Sequence, residues 1–253
     1  MDRPIRVLTW NVQGSADLDG AAAATVVGVA GADVIALQEI QRAQARRLAE
    51  ATATPQWRWV RKHWPVVHRP EGLAVLTPHR IVRSRRVVLR RAPPWSWRRR
   101  VGLDLTVDTG EVLVRVLVAH LSPHGDADQR VREAAALVTL AGREVPGPLV
   151  LGDLNDQPGG RAIGHLETAG WRDAWAVVHG GDAGGATNWP GGDRAGRPAT
   201  QRIDYVLVPG GWRVDDAVVI DRADVLEHVE EMGVLSDHLP LLVSLTAERG
   251  APS

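Results

Sequence analysis

The 253-residue chain carries 30 acidic and 30 basic side chains, 44% apolar residues and no cysteine. These values exclude disulfide, thiolate and Cys-ligated zinc chemistry. A formal charge of zero removes any whole-molecule pull toward nucleic acid or an anionic membrane.

The first strand is expected at Ile5 to Asn11 (IRVLTWN), with no charged-then-apolar leader ahead of it. No apolar stretch is long enough to span a bilayer, so a cytoplasmic protein with no membrane partner is expected. An Ala/Val-rich helix follows at Ala21 to Ala30, then a buried strand at Asp33 to Gln38 and a helical pattern from Gln41 to Thr52. Gly72 to Thr77 reads as a strand. Ile81 to Arg90 and Val101 to Val107 are strands joined by the Pro93-Pro94 loop, and Asp108-Thr109-Gly110 turns the chain into Glu111 to His120. Asp126 starts a helix reaching about Glu144, on which Arg130 and Arg132 are expected to face solvent. Pro146-Gly147-Pro148 breaks it before the strand Leu149 to Gly152, and a short helix runs from about Gly160 to Thr168. Residues 179 to 200, rich in Gly, Pro and Asp, read as one long loop. Arg202 to Val208, Trp212 to Ile220 and Leu239 to Leu245 are the last strands. Sequential strand pairs with helices between some of them argue for an α+β fold of stacked sheets with helices outside. Without a linker or composition shift, the chain reads as one domain, 1–253, with its core at about 4–247, and as a monomer.

Polar islands punctuate the strand ends. Glu39 closes DVIALQ, and a carboxylate leaving a buried strand must be paired, bind a metal or serve a helix N-terminus. Asn11 closes IRVLTWN as a turn residue, a cation ligand or an orienting group for Glu39. His120 ends EVLVRVLVAH, where it is a phosphate donor, a leaving-group acid or a buried structural histidine. Asp153 and Asn155, two apart in GDLND, suit water activation and anion stabilisation, or an Asx turn. Asp237 and His238 precede the final strand. Asp204 lies inside an apolar strand, as an orienting partner for His238 or an ion-pair partner for Arg202. Acidic groups, Asn and two His gathered in one pocket would handle phosphate with a hard cation.

In order, TWN (9–11), LQE (37–39), GLAVLT (72–77), HL (120–121), GDLND (152–156), RIDYVLV (202–208) and SDHLP (236–240) span nearly the whole chain. This series resembles the endonuclease/exonuclease/phosphatase family, with its deoxyribonuclease I-like fold. The resemblance implies a four-layer α/β/β/α sandwich, two packed mixed sheets flanked by helices, and Mg²⁺- or Mn²⁺-dependent cleavage of a phosphate ester. It implies that Asn11 and Glu39 serve the metal, with Asp237 near or on it. It further implies that Asp153 and Asn155 orient water and bind phosphate, that His120 contacts phosphate or the leaving group, and that Asp204 holds His238 to polarise the phosphate or act as base. The chain departs from some branches. Gln13 replaces an acid, LQEIQR lacks a following Lys, and Gln201-Arg202-Ile203-Asp204 stands where inositol-polyphosphate phosphatases show Trp-Thr-Asp-Arg.

Arg83 to Arg100 holds eight arginines and no acid, and Lys62 is the only lysine. Arg98 and its neighbours, with Trp95 and Trp97 between them, are expected to track a nucleic-acid backbone and stack a base. Asn188 and Trp189 are expected to rim the pocket. Nucleic acid is therefore the leading substrate, ahead of a small-molecule or lipid phosphate ester. A catalytically silent binding module is the alternative from another class.

Overall fold

Among the residues described by the computed structural model (3–14, 18–62, 70–93, 96, 99–123, 126–142, 146–190, 198–221 and 236–248), seventeen helices and strands follow one another along the chain. In order they are β1 (Ile5–Asn11), α1 (Gly20–Ala30), β2 (Val34–Gln41), α2 (Arg42–Ala51), β3 (Gln56–Arg61), β4 (Glu71–Thr77), β5 (Arg80–Arg90), β6 (Arg100–Asp108), β7 (Leu113–His120), α3 (Ala127–Ala141), β8 (Leu149–Asp153), α4 (Arg161–Thr168), β9 (Arg172–Asp173), α5 (Ala174–His179), β10 (Asp204–Val208), β11 (Trp212–Val219) and β12 (Leu241–Ala247).

The strands form two six-stranded mixed sheets, ordered β11-β12-β1-β2-β4-β3 and β5-β6-β7-β8-β10-β9. Strand alternation decides the layers. Ile5 and Val7 of β1, Val116 and Val118 of β7, Leu149 and Leu151 of β8, and Val206 and Val208 of β10 meet between the sheets. Their alternates turn outward. Leu8, Trp10, Ile35 and Leu37 pack under α1 and α2, while Leu117, Ala119, Val150 and Leu207 pack under α3 and α4. The result is the expected sandwich of two sheets with helices outside.

The helices are bounded by local chemistry. Asp19 caps α1 by accepting from the amides of Ala21 and Ala22, and Gly31, at φ 52°, ends it in the left-handed region. Three elements were not anticipated. β3 hides in QWRWVR, where Arg breaks the apolar reading. The two-residue β9 and α5 are too short for any periodicity to register. Arg130 corrects another expectation. It is buried, and its guanidinium donates to the carbonyl of Pro123 (3.0 Å) and lies 3.6 Å from Asp156. It ties α3 to the loop after His120, whereas Arg132 is exposed as expected.

Candidate active site

Four strands deliver a polar residue where their inward apolar series ends. Asn11 continues the inward face of Ile5 and Val7 at the end of β1. His120 follows Val116 and Val118, Asp153 follows Leu149 and Leu151, and Asp204 begins the series of Val206 and Val208. The register aligns the last three in a row: β7 pairs in parallel with β8 as His120↔Asp153, and β10 pairs antiparallel with β8 as Asp204↔Asp153. Gly152 permits this approach. Its φ is 142°, and a Cβ there would lie 1.9 Å from the carbonyl oxygen of Ala119.

Glu39 arrives by a different route. Plain alternation would turn it toward the helices with Ile35 and Leu37. The β2–β4 register shifts between Leu37 and Ile40, and Glu39 takes φ 56°. This bulge lets both Leu37 and Ile40 pack on the helix side while Glu39 lines the pocket. Positive φ in a non-glycine residue is costly, and it recurs here at Gln13 and Asn155.

The side chains meet around one oxygen. Asp153 Oδ2 accepts from Asn11 Nδ2 (3.0 Å), across the two sheets, and lies 3.5 Å from His120 Nε2 and 3.8 Å from His238 Nε2. Its other oxygen accepts from the backbone amide of Asn155 (3.0 Å), an Asx turn that coexists with the pocket position of both residues. Asn155 Nδ2 donates to the carbonyl of Leu121 (3.2 Å). Asn11 thus orients Asp153 and accepts from the amide of Gln13 through its own oxygen (3.1 Å). Gln13 in turn donates to Asp237 Oδ2 (3.1 Å).

His238 is held on every side. Its Nδ1 contacts Asp204 Oδ2 at 2.7 Å, its amide donates to Ser236 Oγ (3.1 Å), and its carbonyl accepts from Trp10 Nε1 (3.0 Å). Asp204 therefore pairs with His238, whereas Arg202 pairs with Asp173. Asn188 Nδ2 lies 2.9 Å from His238 Nε2 and donates to the carbonyl of Asp237 (3.2 Å). Bridges Asn188↔Gln201 and Asn188↔His238 fix this piece of the long loop against the site. Trp189 instead packs into the helix-side core. Arg98, Trp95 and Trp97 lie outside the described residues.

Burial and charge shape the titration of both central groups. Desolvation lifts the Asp153 carboxyl to about 7, helped by the charges of Asp204 and Glu39 and opposed by His238 and Asn11. Burial alone would lower His238. The charge and hydrogen bond of Asp204, with Asp153 and Asp237, overcome it and raise the imidazole to about 10. This field favours the imidazolium, in which both ring nitrogens donate, so the Asn188 amide 2.9 Å from Nε2 would turn its oxygen toward the ring.

Sequence reasoning missed two cations on the pocket wall. Lys62, just after the unrecognised β3, places Nζ 3.2 Å from His120 Nδ1 and 3.8 Å from Glu39 Oε1. Burial pulls its ammonium below the usual range, against Glu39. Arg100, at the start of β6, also lines the cavity. A solitary Lys among arginines was the available signal. The cavity is about 360 Å³. Its donor set suits a hard cation: it has oxygens and imidazole but no sulfur, and a buried Asp204 Oδ1 without a hydrogen-bond partner. Ligand atoms of Asp153, Asp204 and His238 lie within 4.8 Å of one another, a possible metal site.

A model of the "Endonuclease/Exonuclease/phosphatase family" matches residues 8–238. No curated protein matches the chain in sequence. Solved structures share the fold. An endonuclease/exonuclease/phosphatase from Beutenbergia cavernae superposes with a TM-score of 0.77 at 23% identity, covering 99% of this chain and 73% of that one. The human Nocturnin catalytic domain with bound sulfate gives 0.75 at 18%, covering 97% and 94%. D. rerio TDP2 complexed with single strand DNA product gives 0.73 at 15%, covering 97% and 100%.

Proposed function

The chain belongs to the endonuclease/exonuclease/phosphatase family of metal-dependent phosphoesterases, and from that premise we propose that it hydrolyses nucleic-acid phosphodiester bonds by in-line attack of water. The observation that carries the proposal is the focus on Asp153 Oδ2, which Asn11, His120 and His238 approach within 3.0–3.8 Å from separate strands and loops. A phosphodiester repels hydroxide, so catalysis requires an aligned water and donors for the oxygens that gain charge.

Asp153 supplies the first requirement. A carboxyl near 7 accepts a proton from water at neutral pH without being too weak a base. His238, oriented by Asp204, presents Nε2 as a donor to the phosphate oxygens. His120 receives Lys62 at Nδ1, so a neutral ring carries its proton on Nε2, the nitrogen facing Asp153. That proton is available to phosphate or the leaving oxygen. Asn155 and Asn188 complete the polar wall. Glu39, with Asn11 and Asp237, would hold Mg²⁺ or Mn²⁺, whose charge offsets that of the phosphate, which leaves the adjoining Asp153, Asp204 and His238 cluster to the water and the phosphate oxygens.

The test is a panel of plasmid, single-stranded DNA, RNA and bis-p-nitrophenyl phosphate, each with Mg²⁺, with Mn²⁺ and with chelator. Metal-dependent cleavage of a polymer supports the reading. Turnover of the small diester alone moves the function to small-molecule or lipid phosphate esters. Absence of turnover with every ester and ion makes the chain a binding module.

A further inference from the structure

The two pocket cations each have a basic neighbour in sequence, Arg61 beside Lys62 and Arg99 beside Arg100. β3 and β5 are each an edge strand of their sheet, and they meet on one flank. There Arg86 Nε of β5 donates to the carbonyl of Arg61 (3.4 Å). Partial burial lowers the Arg86 guanidinium, and the charges acting next on it are those of Arg99 and Arg61. Exposure rises in one direction: Lys62 and Arg100 are buried, Arg61 and Arg99 are half-buried, and Arg86 is exposed.

Gathering like charges costs Coulomb energy, and a polyanion offsets that cost. Arginine forks also match phosphate oxygens two at a time. The arginine-rich segment is divided by the pleat. Arg83 and Arg85 pair with Thr106 and Asp104, and Arg85 binds the Asp104 carboxylate on the α3 side of the sheet. Arg86 is opposite Leu103, whose side faces the other sheet.

We propose that Lys62, Arg100, Arg61, Arg99 and Arg86 form a cationic track leading from the pocket over the joined β3 and β5 edges, and that it binds the backbone of a single nucleic-acid strand on one side of the scissile phosphate. The proposal rests on the phosphodiesterase reading and adds the substrate's path and minimum length. A strand must extend beyond the scissile phosphate to reach Arg86, which a small diester cannot do.

The experiment compares wild type, Arg86→Glu and Arg83→Glu, all with Mg²⁺, on a short fluorescein-labelled single-stranded oligonucleotide and on bis-p-nitrophenyl phosphate across a salt series. For Arg86→Glu, kcat/KM should fall at least about tenfold further on the oligonucleotide than on the small diester. The slope of log kcat/KM against log salt should flatten by about 0.7 for each phosphate the variant no longer neutralises. Arg83→Glu removes the same charge from the opposite face and should stay within about twofold of wild type on both substrates. Equal losses for the two variants, or an unchanged slope for Arg86→Glu, would overturn the track. Oligonucleotide anisotropy in chelator reads the track even if no ester turns over, so the two readings fail separately. Stronger loss of binding to phosphatidylserine vesicles than to the oligonucleotide would also overturn the track, assigning the patch to a membrane surface.

Discussion

The two ends of β2 each border a cavity of similar size, about 360 Å³ beside Glu39 and about 370 Å³ beside Asp33, and on each wall an imidazole meets a carboxylate at 2.7 Å. Only one end has the character of a reaction site. Asp33 accepts from the guanidinium of Arg3 (2.8 Å), the amide of Arg6 (2.9 Å) and the ring of His79, so its oxygens are supplied by three donors from two segments. At the other end, Asp153, Asp237 and Glu39 line the cavity, Asp204 stands behind His238 with an Oδ1 that lacks a hydrogen-bond partner, and three non-glycine residues hold positive φ. Ala53, the other such residue among the described ones, simply follows the C-cap of α2. An Asp–His contact therefore does not identify chemistry by itself. Converging carboxylates, backbone strain and recessed cations together are the stronger sign.

Breaking the charged end should cost activity first. Asp153→Ala or His238→Ala should lower kcat on any cleaved ester by about a thousandfold or more, with a thermal melt near wild type. Residual activity within tenfold would remove the assigned roles. Asp153 also leaves a stability signature in metal-free protein. Because its folded pKa is raised to about 7, the stability it contributes is full below its unfolded value and is lost as pH rises through about 7. Asp153→Ala should remove that slope from a urea titration series.

Asp204→Asn should cost about a hundredfold in activity, because it removes the acceptor that holds His238. Its second readout is the His238 ring, which should titrate well below about 10 by NMR. The sign is fixed by the raised folded value: the pair's stabilisation is complete below the unfolded value of 6.5 and fades as pH approaches about 10. A ring that titrates unchanged in Asp204→Asn would dissolve the pair.

Much of this division was visible in the sequence. Asn11, His120 and Asp153 each close an apolar run that reads as a strand, so they were legible as strand-end polar residues. Glu39 was found as a strand-end acid, but alternation would have aimed it at the helices. The bulge that redirects it depends on β4 pairing, which lies remote in sequence. Lys62 was concealed because β3 was not recognised. Arg130 was misplaced because a charged residue on an otherwise ordinary helix gave no sign that it bonds loop carbonyls. The second cavity drew no notice, since Asp33 and His79 are far apart in sequence and only packing brings them together.

Metal linkage sharpens the comparison next. An ion that binds only the folded chain stabilises it by about 2.7 kcal/mol at a hundred times its dissociation constant. Mg²⁺ should therefore raise the melting temperature of wild type. Glu39→Gln should lose most of that rise, whereas Asp33→Asn should retain it. Equal metal shifts in wild type and Glu39→Gln would move the cation away from Glu39.

The smallest effect belongs to the balanced end. Asp33→Asn weakens the contacts to Arg3 and His79 but leaves an amide oxygen for the Arg6 backbone. Arg3 is mostly exposed, at 62%, and can be resolvated when the carboxylate is gone. The loss should therefore be only about 1–2 kcal/mol in urea unfolding, with kcat and KM unchanged. A fall in kcat at unchanged stability would show that the Asp33 cluster communicates with the site along β2. It would erase the distinction between a carboxylate that stabilises the sheet and those that serve the chemistry.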